Sequence, residues 1–188
     1  MIKKTIILTS ALTLALISGC GNQEEATNNG SDSVDKEVTT ENANVEKEAD
    51  NEVYFKENEV KLNDLKIKIT ETKVIPTGEK GNEYGEKPVL AIWYEVTNLS
   101  DKEIDPNIGW IAVFEAVQDN NPNAINTLEV SGLPDEEFLD SQSEVIKKDG
   151  TVKNAIAYEL DDLETPVTLI ATQGMGGEKL GEQTFNVK

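Results

Sequence analysis

Val89-Leu90-Ala91-Ile92-Trp93-Tyr94-Glu95-Val96-Thr97 carries a single charge and is otherwise built largely from β-branched, aliphatic and aromatic side chains. Pro88 opens this run and Asn98-Leu99-Ser100-Asp101 turns the chain after it. A stretch apolar on nearly both faces predicts a strand at the centre of a sheet or sandwich. Residues 108–118, IGWIAVFEAVQ, predict a second central strand with Trp110, Ala112, Phe114 and Ala116 on one face. Each run offers a tryptophan, and Trp93 and Trp110 are expected to fill the core.

On the N-terminal side, residues 53–56 and 59–62 predict two short strands or one bent strand. Residues 65–70 alternate cleanly, with Leu65, Ile67 and Ile69 facing inward. Residues 76–87, with Gly78, Gly81 and Gly85, read as a loop. On the C-terminal side, Asp149-Gly150 marks a tight turn into an alternating strand over 151–160. Residues 167–172 and 179–187 predict the last two strands, joined by Gly174-Met175-Gly176-Gly177. Residues 119–145 form a long irregular crossover, with a short strand expected at 125–130 and a helical start at Pro134-Asp135-Glu136-Glu137-Phe138-Leu139. Seven to nine short strands with frequent turns predict an all-β fold, an immunoglobulin-like antiparallel β-sandwich over residues 53–188.

The beginning of the chain has a different character. Lys3 and Lys4 precede thirteen uncharged residues, TIILTSALTLALI, and then Ser18-Gly19-Cys20. Thirteen helical residues reach only about 20 Å, short of the ~30 Å hydrocarbon core, so the run suits an export signal rather than a membrane span. The stretch Ile17-Ser18-Gly19-Cys20 resembles a bacterial lipobox. That resemblance implies a signal peptide at 1–19, cleavage between Gly19 and Cys20, and a diacylglyceryl group on the Cys20 thiol. Two acyl chains give a firm anchor, and the protein is expected on the extracytoplasmic face of the cell membrane. Residues 20–52 hold ten acids, two lysines and few large apolar side chains. This composition predicts a disordered acidic linker.

Charge and missing residue types exclude much chemistry. The net charge is −19, and removing residues 1–19 makes it −21. A surface of that sign is repelled by nucleic acid and by anionic headgroups. The chain contains no histidine and no arginine, and Cys20 is its one cysteine. Histidine-dependent nucleophile systems, histidine-ligated zinc, arginine clamps and internal disulfides are therefore ruled out. Gly81-Asn82-Glu83-Tyr84-Gly85-Glu86-Lys87 has the wrong spacing for a P-loop and reads as a plain loop. No cofactor or resident metal is expected.

At the central strands the chain resembles Gram-positive lipoproteins that carry a C-terminal immunoglobulin-like domain of unknown function, themselves distantly similar to a secreted immunoprotective antigen of mycobacteria. The likeness spans residues 53–172. It is carried by Tyr94-Glu95-Val96-Thr97-Asn98-Leu99-Ser100-Asp101, by Phe114-Glu115-Ala116-Val117-Gln118-Asp119, and by Asp149-Gly150-Thr151 leading into Ala157-Tyr158-Glu159-Leu160-Asp161-Asp162, with Thr165-Pro166-Val167 behind it. Asp149-Gly150 stands where the family often has Pro-Gly. The resemblance implies a fold and an anchor, and it brings no catalytic residues.

The expectation is a non-enzymatic binding module with a protein or cell-envelope partner. Its contact surface would be the 119–145 crossover, through Leu133, Asp135, Glu136, Phe138 and Leu139, beside the 76–87 loop. The alternative for these residues is that Phe138 and Leu139 cap an open edge of the sandwich. A second class of function is a Ca²⁺-dependent structural or envelope-stress protein, with Asp161, Asp162 and Glu164 or Asp101, Glu103 and Asp105 as ligands. A third is a carbohydrate hydrolase built on paired carboxylates.

Overall fold

The structure, a computed structural model, describes residues 52–188. The expected signal sequence, the Gly19–Cys20 junction and the acidic linker as far as residue 51 lie outside the described residues. Among the described residues the chain forms β1 (Tyr54–Lys56), β2 (Glu59–Lys61), β3 (Leu65–Ile75), β4 (Val89–Asn98), α1 (Pro106–Val113), β5 (Phe114–Gln118), β6 (Thr151–Glu159), β7 (Val167–Thr172) and β8 (Lys179–Phe185). They make two antiparallel sheets, one ordered β1-β2-β3-β4-β6 and the other β5-β7-β8. The fold is the expected β-sandwich.

Alternation along the strands builds the core. In β3, Leu65, Ile67 and Ile69 are buried, and in β4 Leu90, Ile92, Tyr94 and Val96 face the same side. The smaller sheet answers with Phe114, Ala116, Val167, Leu169 and Ala171. Burying each large side chain contributes roughly 1.5–3 kcal/mol, and with no disulfide these contacts must hold the domain. β4 lies between β3 and β6, the central position its sequence predicts.

The second apolar run departs from expectation. Residues 106–113 are helical, and only 114–118 form a strand, which sits at the edge of its sheet. Asp105 starts the helix: its carboxylate accepts from the Ile108 N–H at 2.8 Å, and Pro106 occupies the first turn, where its missing donor costs nothing. Trp110 is completely buried all the same. Its ring lies 4.3 Å from Tyr94 and 4.4 Å from Phe114, and its Nε1 donates to the Tyr158 hydroxyl at 2.7 Å. Burial pushes the Tyr158 phenol up to about 12, so it remains a neutral acceptor.

Trp93 also differs from its expected role. It points to the outer face of β4 and is half-buried there. A second apolar cluster, Ile75, Val89, Ala91 and Ala157, lies beside it. The crossover explains why both faces of β4 are apolar, because it folds over this outer face.

Residues 125–130 do not form the expected strand. They make isolated bridges, Val117 with Thr127 and Val130 with Tyr158. Leu128 donates to Ala116 O at 2.8 Å, and Ser131 donates to Ala157 O at 2.8 Å. The segment therefore pairs first with the edge strand of one sheet and then with the edge strand of the other. The expected helical start shrinks to a 3-10 turn at Glu136–Phe138, with Asp135 accepting from the Glu137 N–H.

The register gives the domain two poles. Leu65 pairs with Asn98 at one end and Ile75 with Val89 at the other, ten residues along β3. At about 3.3 Å per residue the two ends stand roughly 33 Å apart. The chain enters at the first end through Tyr54, which pairs with Lys61, and we call that end the base. The apex carries the 76–87 loop.

Candidate functional site

The apical loop is tied down by one buried side chain. Asn82 Nδ2 donates to Ile75 O at 3.2 Å and to Lys87 O at 2.9 Å, closing the loop at both ends. Gly81 has φ 91°, and a Cβ placed there would fall 2.3 Å from Pro134 O. Only glycine lets the loop press this closely against the crossover. The 76–87 loop and the crossover, widely separated in sequence, are thereby brought together.

Between them runs an open groove of about 370 Å³, whose walls include Tyr84, Glu86, Lys87, Leu133 and Glu159. Tyr84 is 99% exposed and stands on its rim with no packing role. The Lys87 ammonium lies 2.8 Å from Asp161, which raises the lysine above its usual range and holds the Asp161 carboxyl below its own. The Glu83 carboxylate accepts from the Gly81 N–H at 2.9 Å.

Gln118 stabilises the wall beneath. It is fully buried, its Nε2 donating to Asp162 O at 3.1 Å and Thr165 O at 2.7 Å, while its Oε1 accepts from the Asp161 N–H at 2.8 Å. A buried amide satisfied this fully fixes the 161–165 turn.

The residues singled out in the crossover take different positions. Leu133 is half-buried and lines the groove. Asp135 turns away from it, accepting from Trp93 Nε1 at 3.0 Å. Phe138 is half-buried and borders a smaller hollow of about 170 Å³ beside Trp93, on the outer face of the five-stranded sheet. Glu136 and Leu139 face solvent, Leu139 with 66% of its surface exposed. Gly19 and Cys20 lie outside the described residues. Sequence reasoning did not single out Tyr84, Glu86 or Glu159 as site residues. The signal available was the aromatic and the glutamates inside a glycine-rich loop.

Five of the six carboxylates named as calcium ligands, all but Glu103, have other partners. Asp162 Oδ1 accepts from the Thr165 and Glu164 N–H groups at 2.6 and 2.8 Å, and its Oδ2 accepts from Asn120 Nδ2 at 3.0 Å. These bonds hold it well below the usual carboxylate range. Asp105 caps α1, and Asp101 pairs with Lys148 at 3.0 Å. Among the described residues no three acids gather closely enough to hold a metal ion. No helix among them is long and apolar enough to cross a membrane.

The family described as Domain of unknown function (DUF5067) matches residues 36–173, and the chain belongs to that family. The match begins inside the expected linker and ends just after β7. A structure from Staphylococcus aureus subsp. aureus NCTC 8325, described as a candidate lipoprotein, superposes with a TM-score of 0.61. It is 20% identical over 72% of this chain and 92% of that one, a likeness of fold. A β-sandwich protein from Clostridium difficile 630 is similar at 14% identity and a TM-score of 0.43, covering 68% of this chain and 89% of that one. Among curated proteins none matches. Neither the family nor these structures is described as an enzyme.

Proposed function

We propose that the protein is a lipoprotein held outside the cell by a diacylglyceryl group on Cys20, and that residues 53–188 present a non-enzymatic binding site to a protein or cell-envelope partner. The site is the apical groove between the 76–87 loop and Leu133. The observation that carries this reading is position: the groove lies at the pole opposite Tyr54, where the chain enters from the anchored side. A domain tethered at its base turns such a groove away from the membrane. The lipobox, the acidic linker at 20–52 and the fold shared with a candidate lipoprotein support the anchor. The same strands support a distant kinship with the mycobacterial antigen.

Two measurements test it. Cells grown with a labelled fatty acid should incorporate label into the wild-type chain and none into a Cys20→Ser variant. The mature chain, crosslinked on intact cells and wall fragments, should capture a partner that Tyr84→Ala with Leu133→Ser no longer captures, at an unchanged melting temperature. Capture unaffected by that double substitution would remove the groove from the proposal.

A further inference from the structure

The apical groove has two neighbours. Lys87 and Glu159, which border it, also border a hollow of about 140 Å³ that runs beside Asn126 to Glu129. Asn126 in turn borders a third hollow, of about 320 Å³, on the outer face of the smaller sheet, with Val117, Ile170 and Ile125 in its walls. The crossover is extended where the three meet. The Leu128 N–H donates to Ala116 O of β5 and the Ser131 N–H to Ala157 O of β6, both at 2.8 Å. At about 3.3 Å per residue, Asn126 to Leu133 covers roughly 23 Å. The hollows line up as one trench along this segment.

The trench walls carry seven carboxylates and one lysine. That lysine, Lys87, is bound to Asp161 at 2.8 Å. Beyond the walls, Lys80 stands next to Glu79 in the loop, Lys179 is bound to Glu182 at 2.6 Å, and Lys188 is matched by Glu164 at 3.7 Å. The carboxylates of Glu86, Asp119, Glu129 and Glu159 have no hydrogen-bond or ion-pair partner among the described residues. Two of them face each other. The Glu159 N–H donates to Glu129 O at 2.9 Å, beside the Val130–Tyr158 bridge, so Glu129 stands directly opposite Glu159. Like charges in that position are destabilising, and a cation between them relieves the repulsion. Apolar groups stand at both ends of the trench: Ile125, 82% exposed, with Ile170 at one, Tyr84 and Leu133 at the other.

We infer that the trench takes an extended, basic segment of a polypeptide partner, with lysine or arginine side chains directed at Glu86, Glu129 and Glu159. Three features select that partner. The carboxylates are strung along the trench, as no three acids among the described residues gather closely enough to hold a metal ion, and spaced carboxylates match cations spaced along a chain. An extended chain presents every second side chain to one face, so basic residues at its middle meet Glu129 and Glu159 while apolar ones at its ends reach Ile125 and Leu133. A bare polyamine has nothing to place at those ends. Tyr84 adds an exposed ring whose face attracts a cation. The charge of the trench also speeds encounter with basic chains and turns acidic ones away. This inference rests on the proposed binding groove and names the chemistry of its occupant.

The test uses the mature chain from Cys20 onward and a capped, rhodamine-labelled peptide, Leu-Ser-Lys-Ser-Lys-Ser-Lys-Ser-Leu, read by fluorescence anisotropy. The peptide should bind, and its analogue with glutamate at the lysine positions should not. Glu86→Gln with Glu129→Gln and Glu159→Gln should weaken binding about tenfold at an unchanged melting temperature. Glu52→Gln with Glu144→Gln and Glu178→Gln removes the same charge outside the trench and should leave binding as it is. Carbodiimide treatment of the complex should couple the peptide's lysines to Glu86, Glu129 or Glu159, located by mass spectrometry. Absence of binding at low salt, equal weakening by the two triple variants, or coupling elsewhere on the domain overturns the inference. So does an unchanged affinity when serine replaces both leucines, which would reduce the ligand to a bare polycation. A cell-surface partner lost to Tyr84→Ala with Leu133→Ser but kept by the variant at Glu86, Glu129 and Glu159 upholds the groove and overturns its basic occupant.

Discussion

Trp93 and Asp135, forty-two residues apart, meet on the outer face of the five-stranded sheet, the indole N–H donating to the carboxylate at 3.0 Å. The contact fastens the crossover to the strand at the centre of the fold. Asp135→Ala removes a hydrogen bond to a charged acceptor and should cost about 1.5–3 kcal/mol. Trp93 emission should shift to the red while the buried Trp110 is unaffected. A variant with wild-type fluorescence and melting would show that the crossover is held by other contacts.

Tyr158 is the acceptor for a tryptophan with no access to water. Tyr158→Phe should cost about 1–3 kcal/mol, because the Trp110 N–H is left buried and unpaired. Trp110→Ala should cost about 3–5 kcal/mol through the cavity it opens beside Tyr94 and Phe114. Urea denaturation measures both, and a neutral Tyr158→Phe would disprove the assigned bond.

Gln118 joins β5 to the turn at 161–165 through four hydrogen bonds, the longest from the Asp162 N–H at 3.5 Å. Gln118→Leu keeps the volume and removes them all, for an expected loss of about 3 kcal/mol. Hydrogen exchange at the Asp161 amide should rise with it. Unchanged exchange there would mean that the turn holds itself.

Asp162 predicts how stability responds to acid. Hydrogen bonds from Thr165, Asn120 and Glu164 depress its folded-state pKa below the unfolded value, which is about 3.9. The stabilisation is therefore complete above the unfolded value and is lost as pH falls toward the folded one. Asp162→Ala should melt lower than wild type at neutral pH, and the two melting curves should converge in strong acid. Curves that stay parallel down to the lowest accessible pH would rule out this role.

Much of the fold was legible because burial leaves a period. β4 and β7 follow directly from their apolar pattern, and Leu65, Ile67 and Ile69 point inward as their alternation requires. Helix α1 was misread because Ile108, Ile111 and Val113 favour strands and Gly109 disfavours helix, while the whole run is apolar enough to suit either state. The correct signal was Asp105-Pro106, a cap followed by a first-turn proline. Trp93 was placed in the core because an apolar run on both faces of a strand says that both are covered without saying by what. The apical groove was only half legible. Loop 76–87 and the crossover can each be found in sequence, but their contact depends on the Gly81 backbone reaching Pro134, which has no periodic signature.

The segment at 126–131 pairs with β5 and then with β6 and leaves a particular flank behind it. Further along β6, the Ala155 N–H is satisfied by the adjoining Asn154 side chain at 2.9 Å, and Ser141 caps the Lys153 carbonyl at 2.9 Å. Across the sandwich, the Asn58 N–H donates to Gln183 of β8 at 3.0 Å. Open strand edges recruit strands from other molecules, and these contacts occupy such edges on both flanks. Copies held by the proposed lipid anchor would meet flank to flank in two dimensions, the arrangement in which edge-to-edge aggregation is easiest. A sandwich closed in this way tolerates that crowding as separate, folded units.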